Sequence, residues 1–397
     1  MHCGYGAMSP AVTESLGIYV HIPFCRQKCS YCDFVSYQGL AAQYEPYVEA
    51  LLSEIALWVE CFPESVRRPV DTIYFGGGTP TRLPVSALSR VVDALRRNFR
   101  VDTDAEVTTE ANPGEIDFTY LKGLREVGFN RLSYGIQTFD DDLLGLLRRT
   151  HTAADAERAV TQAIDAGFSN VCGDLIYALP GQTEEGLLSD VDRLLATGIH
   201  HVSVYGLQVE AGTLLDKQVR DGTVRLLSED EEDRMYDALT SRLVECGFER
   251  YEISNFTDDA SYGRHNMKYW RYEDYLGFGV GAHSFYGGVR RGHVSSVPKY
   301  VAAMADGDIH ATWNEVETID EARAREDYSF LALRTAKGID ATDFERRFGV
   351  TLRSVYGDTI ESLVAAGLVE TFRADASVRL TAEGMKHGNY VFSRFIT

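Results

Sequence analysis

Three cysteines lie close together near the beginning of the chain. Cys25, Cys29 and Cys32 stand in the segment HIPFCRQKCSYCDF, directly after a run of apolar residues. Three thiolates can bind three corners of a [4Fe–4S] cluster and leave the fourth iron without a protein ligand. Because that iron has an open coordination position, it can accept a small molecule. The spacing therefore indicates an iron–sulfur site with room for one further ligand.

A zinc site is the alternative for the same cysteines. Structural zinc normally takes four protein ligands, often from two paired knuckles, and the sequence contains no second Cys-x2-Cys pair. His21 could supply a fourth ligand in principle. We favour the cluster because other motifs of the chain complete a cofactor site around it.

A glycine run follows the second predicted strand. The segment Tyr-Phe-Gly-Gly-Gly-Thr-Pro at positions 74–80 offers backbone without side chains, which lets a ligand approach closely and bind to amides and carbonyls. Alone, such a run is equally typical of a tight turn. Its position one strand after the cysteines favours a shared cofactor site.

The cysteine spacing and the glycine run together resemble the radical SAM superfamily, whose members bind a [4Fe–4S] cluster and S-adenosylmethionine (SAM). Further segments resemble, in order and spacing, the branch that contains oxygen-independent coproporphyrinogen III oxidase and the heme chaperones. These segments are TTEANP at 108–113, RLSYGIQTFD at 131–140, LRRTH at 147–151 and DLIYALPGQT at 174–183.

The resemblance implies a set of SAM contacts around a cluster held by Cys25, Cys29 and Cys32. Taken singly, each polar member is better explained by a buried, hydrogen-bonded network at a strand end, but the ordered set reverses that preference in favour of the cofactor. A carboxylate can accept bonds from ribose hydroxyls or offset a cationic ligand in a pocket of low dielectric. The expected contacts are Tyr19 beside the cluster, Gly77, Gly78 and Thr79 at the methionine end, and Glu110, Gln137, Arg149 and Asp174 around ribose and sulfonium.

Within this branch, details of the sequence favour a heme carrier over an oxidase. By resemblance, the oxidase has a further cysteine two residues after the third cluster ligand, where this chain has Phe34, and a longer segment before its first strand. The sequence HNMKYW at 265–270 resembles the HNxxYW pattern of the chaperones. His265 could bind heme iron, or it could belong to a structural corner; both interpretations stay open. Resemblance to the oxidase predicts that His283 lines the SAM pocket.

We therefore expect a heme chaperone that binds heme, with a covalent link left open, and transfers it to an acceptor protein. The alternative is radical decarboxylation of coproporphyrinogen III. No catalytic residue is assigned, and the predicted ligands are the [4Fe–4S] cluster, SAM and heme. The identity of the acceptor cannot be read from the sequence.

Composition narrows the classes of partner and compartment. The 397 residues carry a formal charge of −20 with a pI near 4.9, which disfavours nucleic-acid binding because that depends on Lys and Arg. No apolar stretch reaches the ~20 residues needed to span a bilayer, and no secretory signal is evident. The seven cysteines do not resemble a disulfide framework, so we expect a cytoplasmic protein. Cys61, Cys172 and Cys246 are expected to be small buried hydrophobic residues.

Short β-branched runs alternate with helical patterns from about residue 16 to 255, which is typical of parallel βα units. Expected strands occupy 17–22, 71–75, 105–110, 131–136, 170–176, 201–206 and 250–254. About six βα units fall short of the eight of a closed barrel, so we expect an α/β fold, a partial (β/α)6 barrel of the radical SAM type. The aromatic and glycine-rich stretch 262–288 is expected to form a loop and a closing strand.

The pattern changes toward the end of the chain. Helices are expected at about 321–335, 340–348 and 352–366, followed by short strands at 368–371 and 378–380 and a final helix. This order resembles a winged helix, but acidic and basic residues are nearly balanced there, which favours a docking or lid domain over DNA binding. The resulting expected domains are a tail at 1–13, a radical SAM core with an extension at 14–310, and a mostly helical C-terminal domain at 311–397.

Overall fold

A computed structural model describes residues 14–372 and 377–396. The expected tail at 1–13, including Cys3, lies outside the described residues. Within the described ranges, no helix is both long enough and apolar enough to cross a membrane.

The strands and helices alternate over most of the chain. The strands are β1 (Leu16–Ile22), β2 (Phe24–Cys25), β3 (Tyr37–Gln38), β4 (Pro69–Gly77), β5 (Arg100–Ala111), β6 (Arg131–Gln137), β7 (Asn170–Tyr177), β8 (His201–Gly206), β9 (Glu249–Arg250), β10 (Asn255–Thr257), β11 (Tyr275–Phe278), β12 (His283–Tyr286), β13 (Val289–His293), β14 (Trp313–Thr318), β15 (Val369–Phe372) and β16 (Ser377–Leu380). The α-helices are α1 (Tyr44–Cys61), α2 (Val85–Asn98), α3 (Phe118–Val127), α4 (Asp141–Leu146), α5 (Ala153–Asp165), α6 (Glu184–Ala196), α7 (Leu214–Arg220), α8 (Glu229–Glu245), α9 (Arg264–Trp270), α10 (Val297–Ala305), α11 (Glu321–Leu333), α12 (Ala341–Phe348), α13 (Leu352–Ala365), α14 (Ala382–Lys386) and α15 (Gly388–Ser393).

One twelve-stranded sheet organises the molecule, in the order β14-β13-β12-β11-β1-β4-β5-β6-β7-β8-β10-β9. Strands β1, β4, β5, β6, β7 and β8 pair in parallel, and β11 adds a further parallel strand beside β1. The predicted partial (β/α)6 barrel is confirmed. Because the strands are parallel, their carboxyl ends meet at one edge, where α/β folds place ligands.

The parallel strands are apolar for most of their length because both faces of the sheet are covered. Helices pack on the outer face, and side chains fill the interior of the barrel on the other face. Strand β1 (LGIYVHI) is buried at every position except Tyr19. Helix α2 follows the amphipathic pattern and buries Leu88, Val91, Val92 and Leu95 on one face. These burials join one hydrophobic core that extends from Leu16 to Ile309.

Two segments differ from the sequence expectation. The predicted strand at 250–254 is wrong: β9 and β10 are short, antiparallel pieces on either side of a turn. The stretch 262–288 contains helix α9, which was not predicted, and the antiparallel strands β11 and β12 pair at its end. Aromatic and glycine residues obscured the helical spacing of His265 and Tyr269, which are one turn apart.

The C-terminal region has the predicted order of three helices followed by a strand pair, but two short helices, α14 and α15, stand where one final helix was expected. A second hydrophobic cluster joins this region and includes Tyr272 and Phe285 from the earlier part of the chain. Strand β14 lies beyond the expected boundary at 310 and pairs with β13 of the main sheet. The boundary itself stays a prediction.

The cysteines outside the clustered motif differ in burial. Cys172 is buried as expected and Cys61 is half-buried, but Cys246 is exposed, so its predicted burial is wrong. Cys246 follows the last residue of α8, where the helical pattern no longer fixes which side faces the core.

Candidate functional site: two adjoining cavities at the barrel mouth

The three cysteines follow β1, with Cys25 at the end of the short strand β2 and Cys29 and Cys32 on the loop after it, and all three thiols are free and half-buried. They line a common cavity of about 150 Å³, which we call the first cavity. The loop is held in place by backbone bonds: the Ser30 amide donates to the Leu147 carbonyl at 3.1 Å, and the Thr79 amide to the Phe24 carbonyl at 2.8 Å.

The glycine run closes one side of the first cavity. Gly77 has φ of +106°, and a Cβ there would lie 2.3 Å from Cε1 of His21. At Gly78, a Cβ would lie 2.9 Å from the carbonyl oxygen of Ile22. Only glycine fits this combination of conformation and contact without a shift of the neighbouring chain. Backbone groups are therefore exposed to the cavity.

A carboxylate stands beside this glycine run. Glu110, next to the last residue of β5, accepts hydrogen bonds from the Tyr74 hydroxyl at 2.8 Å and from the Gly77 amide at 3.1 Å. Burial raises the pKa of Glu110 to about 7, because desolvation penalises the charged form more than these bonds favour it. A cationic ligand in the cavity would favour the ionised carboxylate.

A buried arginine connects the cysteines with the strand ends. Arg149 donates through Nη1 to Cys29 Sγ at 3.3 Å, and through Nη2 to Asn112 Oδ1 and to the Gly135 carbonyl, both at 2.6 Å. The Asn112 amide donates in turn to Thr79 Oγ1 at 3.0 Å. The network fixes the guanidinium next to the Cys29 thiol.

The far wall of the first cavity comes from β6 and β7. The Ser133 hydroxyl donates to Asp174 Oδ1 at 3.2 Å, and burial raises the pKa of Asp174. Gln137 at the end of β6 has φ of +72°, a conformation that costs a non-glycine residue roughly 1–3 kcal/mol and often marks functional positions.

The first cavity collects most of the residues predicted from the sequence. It is lined by Cys25, Cys29, Cys32, Gly77, Gly78, Thr79, Glu110, Gln137, Arg149 and Asp174. Sequence reasoning did not assign nine further lining residues, which are Gln27, Lys28, Tyr31, Phe34, Ser36, Ala111, Asn112, Ser133 and Gly135. Asn112 and Ser133 stand in the segments 108–113 and 131–140 that carried the resemblance, so the same segments could have indicated them.

The residues lining the first cavity fit an iron–sulfur cluster with an open iron. Three thiols face it, and none of the described residues that line it is a fourth cysteine or a histidine. His21, the fourth zinc ligand considered above, has its ring nitrogens 3.1 Å from the Tyr19 hydroxyl and 2.7 Å from the Val35 carbonyl. The set of donors therefore favours the cluster over zinc.

A second cavity of about 500 Å³ adjoins the first, and we call it the second cavity. Phe34, Gly77 and Glu110 line both. Tyr19, predicted beside the cluster, lies on the second cavity and stacks on Tyr74 with ring centroids 6.2 Å apart. The other lining residues of the second cavity are His21, Asp33, Val35, Tyr269, Tyr275, Gly281 and His283.

His265, the predicted heme ligand, lies on α9 and is 1% exposed. Its ring nitrogens are 2.9 Å from the Thr72 hydroxyl and 2.8 Å from the Tyr269 hydroxyl. Burial lowers the pKa of His265 to about 3, so the ring is neutral. In this conformation both nitrogens are engaged, and iron ligation by His265 would require one of these bonds to break.

Two family models match the chain. The model of the radical SAM superfamily matches residues 19–194, which contain the cysteines and all the first-cavity residues named above. The model of the HemN C-terminal domain matches residues 324–386.

Individual relatives match over nearly the whole chain. Heme chaperone HemW of Bacillus subtilis is 35% identical over 95% of this chain and 98% of its own length. Heme chaperone HemW of Lactococcus lactis is 35% identical over 95% of this chain and 96% of its own length. The solved structure of coproporphyrinogen III oxidase (HemN) from Escherichia coli matches with a TM-score of 0.83 at 24% identity, over 98% of this chain and 92% of that one. At this identity, the likeness to the oxidase shows the fold alone.

Proposed function

Because this chain belongs to the HemW family within the radical SAM superfamily, we propose that it is a heme chaperone, which binds heme and transfers it to an acceptor protein. The single observation that carries the proposal is the match to proteins named heme chaperone HemW over almost their full length. A match of this extent includes the C-terminal region as well as the barrel.

We propose that the first cavity holds a [4Fe–4S] cluster on Cys25, Cys29 and Cys32, with SAM beside it. Membership of the radical SAM superfamily implies both cofactors, and the donor set supports the ligand assignment. When bound, they supply an electron-transfer centre and a cleavable sulfonium. Arg149 Nη1 lies 3.3 Å from Cys29 Sγ and would hold that ligand in position.

The other residues of the first cavity would orient SAM. The open backbone at Gly77 and Gly78 accommodates the methionine end, and Thr79 completes that side. Glu110 offsets the positive charge of the cofactor, while Asp174 accepts hydrogen bonds from ribose hydroxyls. Gln137 also lines the first cavity, where its amide can bond to the nucleoside part.

Phe34 supports the carrier over the oxidase. It occupies the position at which the oxidase is expected to have an additional cysteine, and its side chain is 61% exposed. A phenyl ring has no acid–base or redox chemistry, but it gives a flat apolar ligand a contact surface. The C-terminal domain, proposed to begin near 311, would lie next to the second cavity, because Tyr275, which lines that cavity, packs against the hydrophobic cluster of this domain.

The test compares heme binding with porphyrinogen turnover under anaerobic conditions. Reconstituted protein is titrated with heme by absorbance, and a second sample is incubated with coproporphyrinogen III, SAM and a reductant. We expect stoichiometric heme binding and no decarboxylated product. Formation of protoporphyrinogen, or failure to bind heme, would contradict the proposal.

A further inference from the structure

One imidazole at the barrel mouth has no engaged nitrogen. His283 begins β12, its side chain is exposed, and it lines the second cavity and not the first, where the sequence had suggested it. No hydrogen bond or ion pair from any described residue reaches its ring.

The other histidines around the barrel differ from His283 in this respect. His21 and His265 each have both nitrogens engaged. His293 is hydrogen-bonded to the Ala282 carbonyl and to Glu54, and its ring is fully buried. Of the histidines lining the second cavity, which are His21 and His283, only His283 presents a free nitrogen among the described residues.

The backbone around His283 leaves room for its ring. His283 pairs with Gly292 on the neighbouring strand β13. A Cβ at Gly292 would lie 3.2 Å from His283 Nδ1 and 2.9 Å from Cε1, and the second distance is shorter than Cβ contacts in proteins normally are. The absence of a side chain at Gly292 therefore lets the imidazole lie against the sheet surface.

Aromatic side chains form much of the surface facing this imidazole. The exposed Phe34 is on a loop held by two bonds to its backbone, from Lys28 Nζ to the Phe34 carbonyl at 3.1 Å and between the His21 ring and the Val35 carbonyl at 2.7 Å. Deeper in the cavity, Tyr269 and Tyr275 meet edge to face with centroids 4.6 Å apart. An exposed ring on an anchored loop is an apolar contact surface already in place for a ligand.

We propose that His283 is the axial ligand of heme iron and that the macrocycle lies in the second cavity against Phe34 and the tyrosines. This assignment rests on the proposed function and replaces His265 as the iron ligand. The cavity volume of about 500 Å³ falls in the range of small-molecule sites, roughly 300–1,000 Å³.

The protonation state of His283 suits ligation. Partial desolvation by the surrounding side chains lowers the pKa of His283, against an opposing contribution from Glu315, so the ring is neutral and its nitrogen carries a free electron pair at neutral pH. Other groups facing the ring are His293 and Arg290, whose charges also disfavour protonation. The bond formed is a dative bond from the imidazole nitrogen to iron; no electron transfer or leaving group is required.

The shared wall brings the two cavities into contact. Phe34, Gly77 and Glu110 line both, so heme on His283 would be separated from SAM by single residues. Both exposed residues, Phe34 and His283, lie on the solvent side of the second cavity, where an acceptor protein can reach the heme edge.

The test is an anaerobic heme titration of the reconstituted full chain, read by absorbance and by electron paramagnetic resonance of the ferric iron. His283→Ala is compared with wild type and with His310→Ala, an exposed histidine that lines neither cavity. We expect His283→Ala to weaken heme binding roughly tenfold or more, to change the iron spectrum, and to recover the wild-type spectrum with free imidazole. His310→Ala should match wild type.

Cluster iron content and SAM binding show whether each variant is folded. Should His283→Ala lose both, His283→Met is used, and we expect it to bind heme with a spectrum different from wild type. Wild-type affinity and spectrum in a folded His283 variant would overturn the assignment and leave the chaperone function intact. Failure of the wild-type protein to bind heme would instead remove the proposed function and the assignment together.

Discussion

The two cavities are neighbours but are built in different ways. In the first cavity the side chains are polar and bond to one another: Arg149 binds Asn112 and Cys29, and Tyr74 and Gly77 bind Glu110. The second cavity is lined by the aromatic rings of Tyr19, Phe34, Tyr269 and Tyr275 together with the carboxylates of Asp33 and Glu110, and its His283 imidazole is engaged by no described residue. The first cavity is thus preorganised for a charged cofactor, whereas the second offers flat aromatic contact and a free imidazole.

This difference assigns separate tasks to the two regions. A cofactor that stays bound favours a network with its polar groups satisfied, because an unpaired buried group is costly. A ligand that must be released favours an accessible surface with few strong contacts, because few interactions then have to break when it dissociates. We therefore expect a substitution in one cavity to weaken mainly the binding of the ligand in that cavity.

The largest effect should come from the cluster ligands. Cys29→Ala removes one of only three thiols in the first cavity and should abolish iron–sulfur cluster binding, measured as iron and sulfide content after anaerobic reconstitution. Cys246→Ala, which changes an exposed cysteine elsewhere, is the matched control and should retain the full cluster. A full cluster in Cys29→Ala would contradict the ligand assignment. Heme binding should persist in the cluster-free protein if the cavities are separate.

The shared wall is tested next. Gly77→Ala places a side chain at a residue with positive φ and brings its Cβ into collision with His21. We therefore expect it to lower the free energy of unfolding by roughly 3 kcal/mol and to weaken the binding of both SAM and heme. Gly198 has φ of +80° with open space around it, so Gly198→Ala should lower the free energy of unfolding by only about 1 kcal/mol. Denaturant titration gives both values. Equal losses would mean that the contact with His21 is unimportant.

The pH dependence of SAM binding should follow Glu110. Its pKa of about 7 means that lowering the pH neutralises the carboxylate and removes the charge that faces the cationic cofactor. SAM affinity, measured by equilibrium dialysis, should therefore fall from about pH 8 to about pH 6 by roughly tenfold. Glu110→Gln should bind SAM more weakly at the higher pH and show a flatter profile. An unchanged profile in this variant would exclude Glu110 as the titrating group.

The smallest effect is expected at Phe34. Phe34→Ala removes an exposed ring, so heme affinity should fall by roughly fivefold, about 1 kcal/mol, as is usual for one aromatic contact. Cluster content should stay at the wild-type level, because the ring contributes no cluster ligand. If Phe34→Ala lost the cluster and kept the wild-type heme affinity, Phe34 would support the ligand of the first cavity and not that of the second.

The first cavity was predictable because its chemistry is local in the sequence. Cysteines on one loop, a glycine run and polar residues after successive parallel strands must meet at the carboxyl edge of the sheet. Asn112 and Ser133 were missed, although they stand in the same segments, 108–113 and 131–140, as Glu110 and Gln137.

The second cavity could not be predicted in the same way. It joins the loop at 33–35 to α9, β11 and β12, which are more than two hundred residues further along, and no local pattern encodes that contact. The engaged state of His265 also depends on tertiary contacts, since its partner Thr72 lies on β4. A motif therefore identified a histidine, but only the packing distinguishes a buried ring from a free one.

Whether separate cavities hold the two ligands is tested by heme titration of the reconstituted protein with labelled SAM already bound, followed by absorbance and by retention of the label. We expect one heme per chain at full SAM occupancy and an intact cluster, because heme and SAM occupy different cavities. Release of SAM in proportion to added heme, or no heme binding at all, would contradict this expectation.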